Sequence, residues 1–398
     1  MKTAAIIAEY NPFHNGHRHM LEYIRRNTDA EYIFIIMSGD FTQRGEPAVF
    51  SKEARAKAAL LAGADAVFML PVAYSTAGVE LFSLGAVSLA SRLGADYLCF
   101  GSESGNMDEL LSAAVRFRIG GSADSPEINK LMYEGHTFAK ARSLAFPEFS
   151  DLIKSPNNIL GIEYIIAGLN MESSMKYITL KREGAGYDEE KITEGNYQSA
   201  LALRNLLKTE DRDLFKKYVP METRMLLDKE ANVPVFLNDL SDSLYTKLLF
   251  MPDSAEFFEV SDSLYNRIKN HCGEFKDIES FADLIKAKNL THAGIKRALL
   301  HILLNLQNNA EHYKKAEELT HVRLLGFNED SVDLLTHIGK CGSVKPVTKI
   351  PSVQKEFNSF TKDIFEEDLN ASTLYEYIRS RKLNVNPVPE YSKPVIKI

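Results

Sequence analysis

The stretch Asn11-Pro12-Phe13-His14-Asn15-Gly16-His17 packs two imidazoles and a glycine into one short segment. Side chains of this kind can act on phosphate. Two histidines three residues apart can donate hydrogen bonds to phosphate oxygens as charge builds in a displacement at phosphorus. Gly16, lacking a Cβ, lets a ligand come close to the backbone. An apolar run, Thr3 to Ala8, precedes the segment, and a helix-forming stretch, Arg18 to Asn27, follows it. His17 therefore falls beside the first helical turn, where free N–H groups and the positive end of the helix dipole attract anions.

The elements that must position this turn can be read over the first 120 residues as alternating strands and helices. Thr3–Ala8 is strand one. Tyr32–Met37, an unbroken apolar run, is strand two, of the kind buried on both faces. A long loop, Asp40 to Phe50, leads to Ser51, a helix N-cap, with Ala54, Ala58 and Leu61 on one face of the helix. Gly63-Ala64-Asp65 turns into strand three, 66–70, and Gly94-Ala95-Asp96, 31 residues later, turns into strand four, 97–100. Strand–helix units at this spacing predict a parallel sheet whose ligands bind at the carboxyl ends of the strands. His14, Gly39, Pro71 and Gly101 fall at those ends.

Beyond Gly120-Gly121-Ser122 helices dominate. Pro156-Asn157-Asn158 opens one that runs to about Ala167, and 175–180 reads as a fifth strand ending at Lys181-Arg182-Glu183-Gly184. Further helices are predicted over 197–207, 211–217, 241–249, 254–259, 279–287 and 291–307, with short strands near 322–325 and 343–348. The tail from Asn384, with three prolines, reads as extended.

A chain of 398 residues exceeds one ordinary core, so two or three domains are expected. Its 45% apolar and 25% charged residues are those of a soluble globular protein, and no run of 18 apolar residues occurs. Met1-Lys2 leads straight into a strand with no room for a signal peptide, and Cys99, Cys272 and Cys341 are few and far apart. A cytoplasmic location follows as an expectation, with neither a membrane nor DNA as partner. The net charge of −7 argues against indiscriminate coating of nucleic acid but allows a local basic face.

Three further stretches carry a resemblance. Ser38-Gly39-Asp40-Phe41-Thr42-Gln43-Arg44-Gly45-Glu46-Pro47-Ala48, Phe100-Gly101-Ser102-Glu103 and Ser155-Pro156-Asn157-Asn158-Ile159-Leu160-Gly161, together with HNGH, resemble the bacterial tRNA(Met) cytidine acetate ligase family of the HxGH nucleotidyltransferase superfamily. The resemblance implies an α/β fold: a Rossmann-like, ATP-binding catalytic domain with a parallel sheet over residues 1–190, then a mainly helical tRNA-binding domain over 191–398. It implies a ligase that activates acetate with ATP as acetyl-adenylate, releasing pyrophosphate, and then acetylates N4 of the wobble cytidine of elongator tRNA(Met). By position, the ATP site is Ile7, Ala8, Glu9, Tyr10, Asn11, Pro12, Phe13, His14, Asn15, Gly16, His17, Arg18, His19 and Met20, with Gly101, Asn157 and Arg182. His14 and His17 would be the catalytic pair, with the amides after Gly16 holding an oxyanion. Mg²⁺ is expected with ATP, held by phosphates and water, with no protein ligand named.

Arg44 and Asp40 could order a lid, bind the cytidine, or form a surface ion pair. Lys286, Lys288, Lys296 and Arg297 form the densest basic group in the second half and are candidates for tRNA backbone contact. Where the family usually has an acidic residue at the end of strand three, this chain has Met69, and Glu80 is the candidate substitute. Two alternatives stand beside this reading: a small-molecule adenylyl or cytidylyl transferase, and a non-catalytic RNA-binding protein.

Overall fold

The computed structural model describes residues 1–182, 184, 189, 191–192, 195–209, 211–227, 233–252, 254, 256–288 and 290–398. Its centre is one sheet. Strands β1 (Thr3–Ala8), β2 (Tyr32–Ser38), β3 (Ala66–Leu70), β4 (Tyr97–Ser102) and β5 (Lys176–Lys181) lie parallel in the order β5-β4-β1-β2-β3. The chain winds from β1 to β3 in one direction and from β4 to β5 in the other, so the order reverses between β1 and β4. A crevice opens at such a switch point, at the carboxyl ends of both strands. The Val/Ile/Phe-rich runs of β2 and β3 are buried almost throughout, as strands covered on both faces must be.

The labelled helices are α1 (Asn15–Asn27), α2 (Lys52–Leu61), α3 (Val79–Arg92), α4 (Pro156–Asn170), α5 (Ala200–Lys208), α6 (His292–Leu304) and α7 (Ser359–Leu383). Ser51 caps α2 as expected, its side chain accepting from the Ala54 amide. The two Gly-Ala-Asp turns do the same job twice. Gly63 and Gly94 take φ of +105° and +88°, which favours glycine. Each aspartate then accepts an amide at the start of a neighbouring strand: Asp65 from Ile33 N at 2.6 Å, Asp96 from Thr3 N at 2.8 Å.

Several elements depart from the sequence reading. α1 begins at Asn15, three residues before Arg18, because the His14 side chain itself caps it. The described part of 254–259 is not helical. Phe257 makes an antiparallel bridge to Gln307, Glu259 has φ of +53°, and burial of both Phe257 and Phe258 holds the chain there. Helix Asp262–His271 and the 25-residue α7 were not predicted. Strand β6 (His321–Phe327) joins β3 antiparallel, with β7 (Lys345–Val347) and the terminal β8 (Ile396–Lys397) beside it, so the second half of the chain extends the first half's sheet. Glu183 lies outside the described residues.

Two buried cations hold the carboxyl edge of the sheet. Arg55, 1% exposed, donates from Nε to Phe50 O, from Nη1 to Glu9 O (2.6 Å) and Ser38 O (3.0 Å), and from Nη2 to Gly39 O. It thereby ties the residues that follow β1 to those that end β2. Lys52, fully buried, meets Asp40 at 2.7 Å, Glu390 at 3.1 Å and Glu53 at 3.3 Å, and donates to Ser372 Oγ. Asp40 is thus part of an internal ion cluster and not a surface pair. Tyr375 of α7 donates to Ala48 O, fixing the far end of the 40–50 loop.

Replacing Arg55 by Met leaves the carbonyls of Glu9, Ser38, Gly39 and Phe50 buried without a donor. We expect Arg55→Met to destabilise the protein by about 3 kcal/mol or more, read from the midpoint of chemical denaturation at an unchanged slope.

Candidate active site

At the switch point the structure has a cavity of about 210 Å³. Its floor comes from β1 (Ile6–Ala8), β4 (Phe100, Gly101) and the end of β5 (Leu180, Lys181, followed by Arg182). Its walls come from the His14–Met20 segment, the start of α4 (Asn157, Leu160, Tyr164), the loop residues Gln43 and Arg44, and 197–204.

His14 and His17 cap α1 reciprocally. Gly16 N donates to His14 Nδ1 at 3.1 Å and His14 N donates to His17 Nδ1 at 3.2 Å. The rings stack with centroids 3.6 Å apart and 17° between planes. A nitrogen that accepts an amide proton carries none of its own, so both rings place their proton on Nε2. Burial pushes His14 down to about 3, helped by the nearby Arg182 and Arg204 cations. His17 is held well below its ordinary value by burial, then by His14 and Arg182. The pair is therefore neutral near pH 7, and each ring offers one Nε2–H donor.

The expected oxyanion amides are differently engaged. His17 N and Arg18 N both donate to His14 O, at 2.9 and 3.2 Å. Gly16 is constrained by the protein itself, since a Cβ there would lie 3.1 Å from His14 Cε1. Gly101 is the opposite case. It sits inside β4, and an added Cβ would make only ordinary contact, the nearest being Arg182 Cγ at 3.4 Å. The protein's own packing does not demand glycine there, and the space above it is the cavity.

Of the residues singled out in the sequence, Ile7, Ala8, Glu9, Tyr10, Asn11, His14, Gly16, His17, His19, Met20, Gly101, Asn157 and Arg182 line this cavity. Pro12, Phe13, Asn15 and Arg18 do not. Pro12 follows a cis peptide bond and Phe13 is buried edge-on to Tyr10. Asn15 donates to Asn196 O and Tyr218 O, and Arg18 pairs with Glu22 and Glu222. They shape the turn from behind. Arg204 was missed: 7% exposed on α5, it donates from Nη1 to Asn11 O and adds positive charge to the wall. An arginine inside the apolar run Leu201-Ala202-Leu203-Arg204 was the available signal.

Lys296 and Arg297 do not stand in solvent. Lys296 pairs with Glu46 at 2.6 Å and Arg297 with Glu259 at 2.9 Å, with side chains 13% and 19% exposed. Lys296 thereby holds the 40–50 loop, whose Gly45 (φ +74°) packs so closely on α6 that a Cβ would lie 2.4 Å from Arg297 N. Lys286 and Lys288 are exposed, in the segment between helix Ile278–Leu284 and α6. Glu80 pairs with Arg142 at 3.6 Å and is no substitute at Met69, whose acidic neighbours are Asp368 and Glu390. Among the described residues, no group of three or more His, Cys, Asp or Glu comes together as a metal site, and no helix is long and apolar enough to cross a membrane.

The HIGH Nucleotidyl Transferase family model matches residues 1–387. A tRNA(Met) cytidine acetate ligase of Caldicellulosiruptor saccharolyticus is 34% identical over 98% of this chain and 99% of its own. That of Caldanaerobacter subterraneus subsp. tengcongensis is 34% identical over the whole of both. The chain belongs to the tRNA(Met) cytidine acetate ligase family. The crystal structure of apo Thermotoga maritima TmcAL superposes with a TM-score of 0.91 at 27% identity, covering both chains fully. The same protein bound with alpha-thio ATP gives 0.87 at the same identity and coverage. The family match runs through the helical half, which a small-molecule transferase would not require, and the intact His14–His17 pair argues against a vestigial site.

The depressed imidazoles carry a pH signature. The unfolded chain takes up protons near pH 6.5 that folded His14 refuses until about pH 3. The contribution of the pair to stability is therefore full above about pH 6.5 and is lost as the pH drops through that window. Nitrogen-15 NMR should show both rings neutral at pH 6, with the proton on Nε2. A charged ring at that pH would contradict the geometry.

Proposed function

We propose that this protein is an ATP-dependent tRNA(Met) cytidine acetate ligase whose adenylation centre is the stacked His14–His17 pair. An acetate oxygen attacks the α-phosphorus of ATP, forming acetyl-adenylate and releasing pyrophosphate. N4 of the wobble cytidine of elongator tRNA(Met) then attacks the acyl carbon, AMP leaves with the C–O bond electrons, and the nitrogen loses a proton. The observation that carries this reading is two neutral Nε2–H donors beside Arg182 and Arg204, at the carboxyl ends of β1 and β4.

Neutral donors suit the first step. They hydrogen-bond through Nε2–H to phosphate oxygens as negative charge grows, without transferring a proton. Arg182 supplies a planar, permanently charged fork for the phosphates. Arg204 fixes the motif backbone through Asn11 O and adds its field. The space over Gly101 fits a flat base or a ribose. Mg²⁺ would enter bound to the triphosphate, since the described residues bring no carboxylate cluster to it. Residues 1–190 carry the chemistry in this reading, and 191–398 carry the tRNA contacts while also supplying Arg204.

His14→Ala and His17→Ala should each lower acetate-dependent ATP–pyrophosphate exchange by about 10²-fold, as for loss of a preorganised donor, with circular dichroism unchanged. Near wild-type exchange in both variants would sink the assignment.

The tRNA backbone must meet a local positive surface on an acidic protein. Lys286 and Lys288 are the exposed members of the basic group. Reversing both to Glu should weaken tRNA binding and flatten its dependence on salt, with acetyl-adenylate formation unchanged. Unchanged affinity at two salt concentrations would leave these lysines an ordinary solvated face.

A further inference from the structure

Asn157 lines the cavity at the start of α4, yet α4 lacks the usual local cap. Ser155 occupies the N-cap position and its side chain takes no helix amide. The cap comes instead from Glu103, in the turn after β4. Its Oε2 accepts from Asn158 N at 3.0 Å, and its Oε1 accepts from Asn157 Nδ2 at 2.6 Å. Asn158 returns the link, its Oδ1 accepting from Ser104 N at 3.1 Å and its Nδ2 donating to Leu152 O. Behind this turn Gly105, with φ +63°, is pressed against Lys181, where a Cβ would lie 2.5 Å from Lys181 Cβ. The 102–106 turn and the head of α4 are one interlocked unit.

This lock has a chemical consequence. An ionised carboxylate only accepts hydrogen bonds, so the Asn157 amide must turn its NH₂ towards Glu103. Its remaining polar atom is Oδ1, an acceptor. An acceptor in the wall of the cavity that Gly101 also lines selects a ligand donor and not a phosphate oxygen. We propose that Glu103 is a positioning residue that fixes Asn157 as a hydrogen-bond acceptor for a donor on the nucleoside, either the 6-amino group of the base or a ribose hydroxyl. This inference rests on the ATP reading of the cavity.

The test is equilibrium binding, by calorimetry, of ATP, inosine triphosphate, 2′-deoxy-ATP and 3′-deoxy-ATP to the full-length protein. Inosine triphosphate replaces the 6-amino group by a carbonyl oxygen, and each deoxy analogue removes one hydroxyl. One analogue should bind the wild type about tenfold more weakly than ATP, the expected loss for one directed hydrogen bond. Which analogue it is identifies the donor. In Asn157→Ala that penalty should fall below about threefold. In Glu103→Gln, nearly isosteric, Oε1 stays with the Asn158 amide and Nε2 faces Asn157. The Asn157 amide then turns over and presents NH₂ to the ligand, so the penalty should shrink or, for inosine triphosphate, reverse. A residue that merely supported the helix would weaken all four nucleotides alike.

Equal binding of all four nucleotides to the wild type overturns the proposal, as does a penalty that survives in either variant. If Glu103→Gln fails to fold, as judged by thermal melting, Glu103→Ala takes its place. It removes both acceptors and frees the Asn157 amide to turn, so the penalty should shrink, and a penalty that survives there would contradict the proposal. Failure of the wild type to bind any of the four would overturn the ATP reading itself, a distinct result.

Discussion

The guanidinium of Arg55 is the constraint on which the rest of the site depends. A parallel sheet leaves the carbonyls at its carboxyl edge pointing into a crevice, and at the switch point between β1 and β4 that crevice must stay open for a ligand. Arg55 reaches up from α2 and satisfies the carbonyls of Glu9, Ser38 and Gly39 from below, and that of Phe50 at the head of its own helix. Burial pulls its pKa down from the ordinary arginine value, with Asp40 the first of the carboxylates opposing that shift. Even so, a guanidinium keeps its charge where an amine would give it up. With the backbone after β1 held this way, Tyr10 adopts φ of +49° and the chain turns into the motif.

The histidine pair shows how burial converts a pH-sensitive residue into a fixed dipole. Each imidazole spends Nδ1 on a backbone amide, which sets its tautomer and aligns the rings face to face. Arg182 and Arg204 keep the site positive while disfavouring a proton on His14. In the proposed reaction an anion would be attracted by the arginines and met by neutral donors, with no proton moved by the protein as charge develops on phosphorus.

The second half of the chain is built into this centre. Arg204 donates to Asn11 O and Thr223 Oγ1 to Phe13 O, so residues beyond 190 hold the motif loop from outside. Lys296 and α7 grip the 40–50 loop that carries Gln43 and Arg44 into the cavity. Lys52 binds Glu390 and Asp40 in one buried cluster, joining the last residues of the chain to the head of α2. The helical half is therefore hydrogen-bonded directly to the turn that carries His14 and His17.

While the resemblance supplied the separate stretches around Gly101, Asn157 and Arg182 as candidates, the sequence alone determined the parallel strands β1 to β5 and the turn that carries His14 and His17. These are properties of local pattern: apolar runs bounded by glycine, capping residues, and a motif short enough to be one turn. Tertiary structure decided the rest, because each remaining feature is a long-range pairing with no local trace. Arg55 reaches Glu9, 46 residues away along the chain, and Lys52 reaches Glu390, 338 residues away. β6 pairs with β3 across more than half the protein, and Lys296 reads as a solvent-facing charge until Glu46 is folded against it. The amide of Asn157 could face either way in the sequence; only the carboxylate of Glu103, placed beside it by β4 and α4, decides that its nitrogen is the atom turned to Glu103.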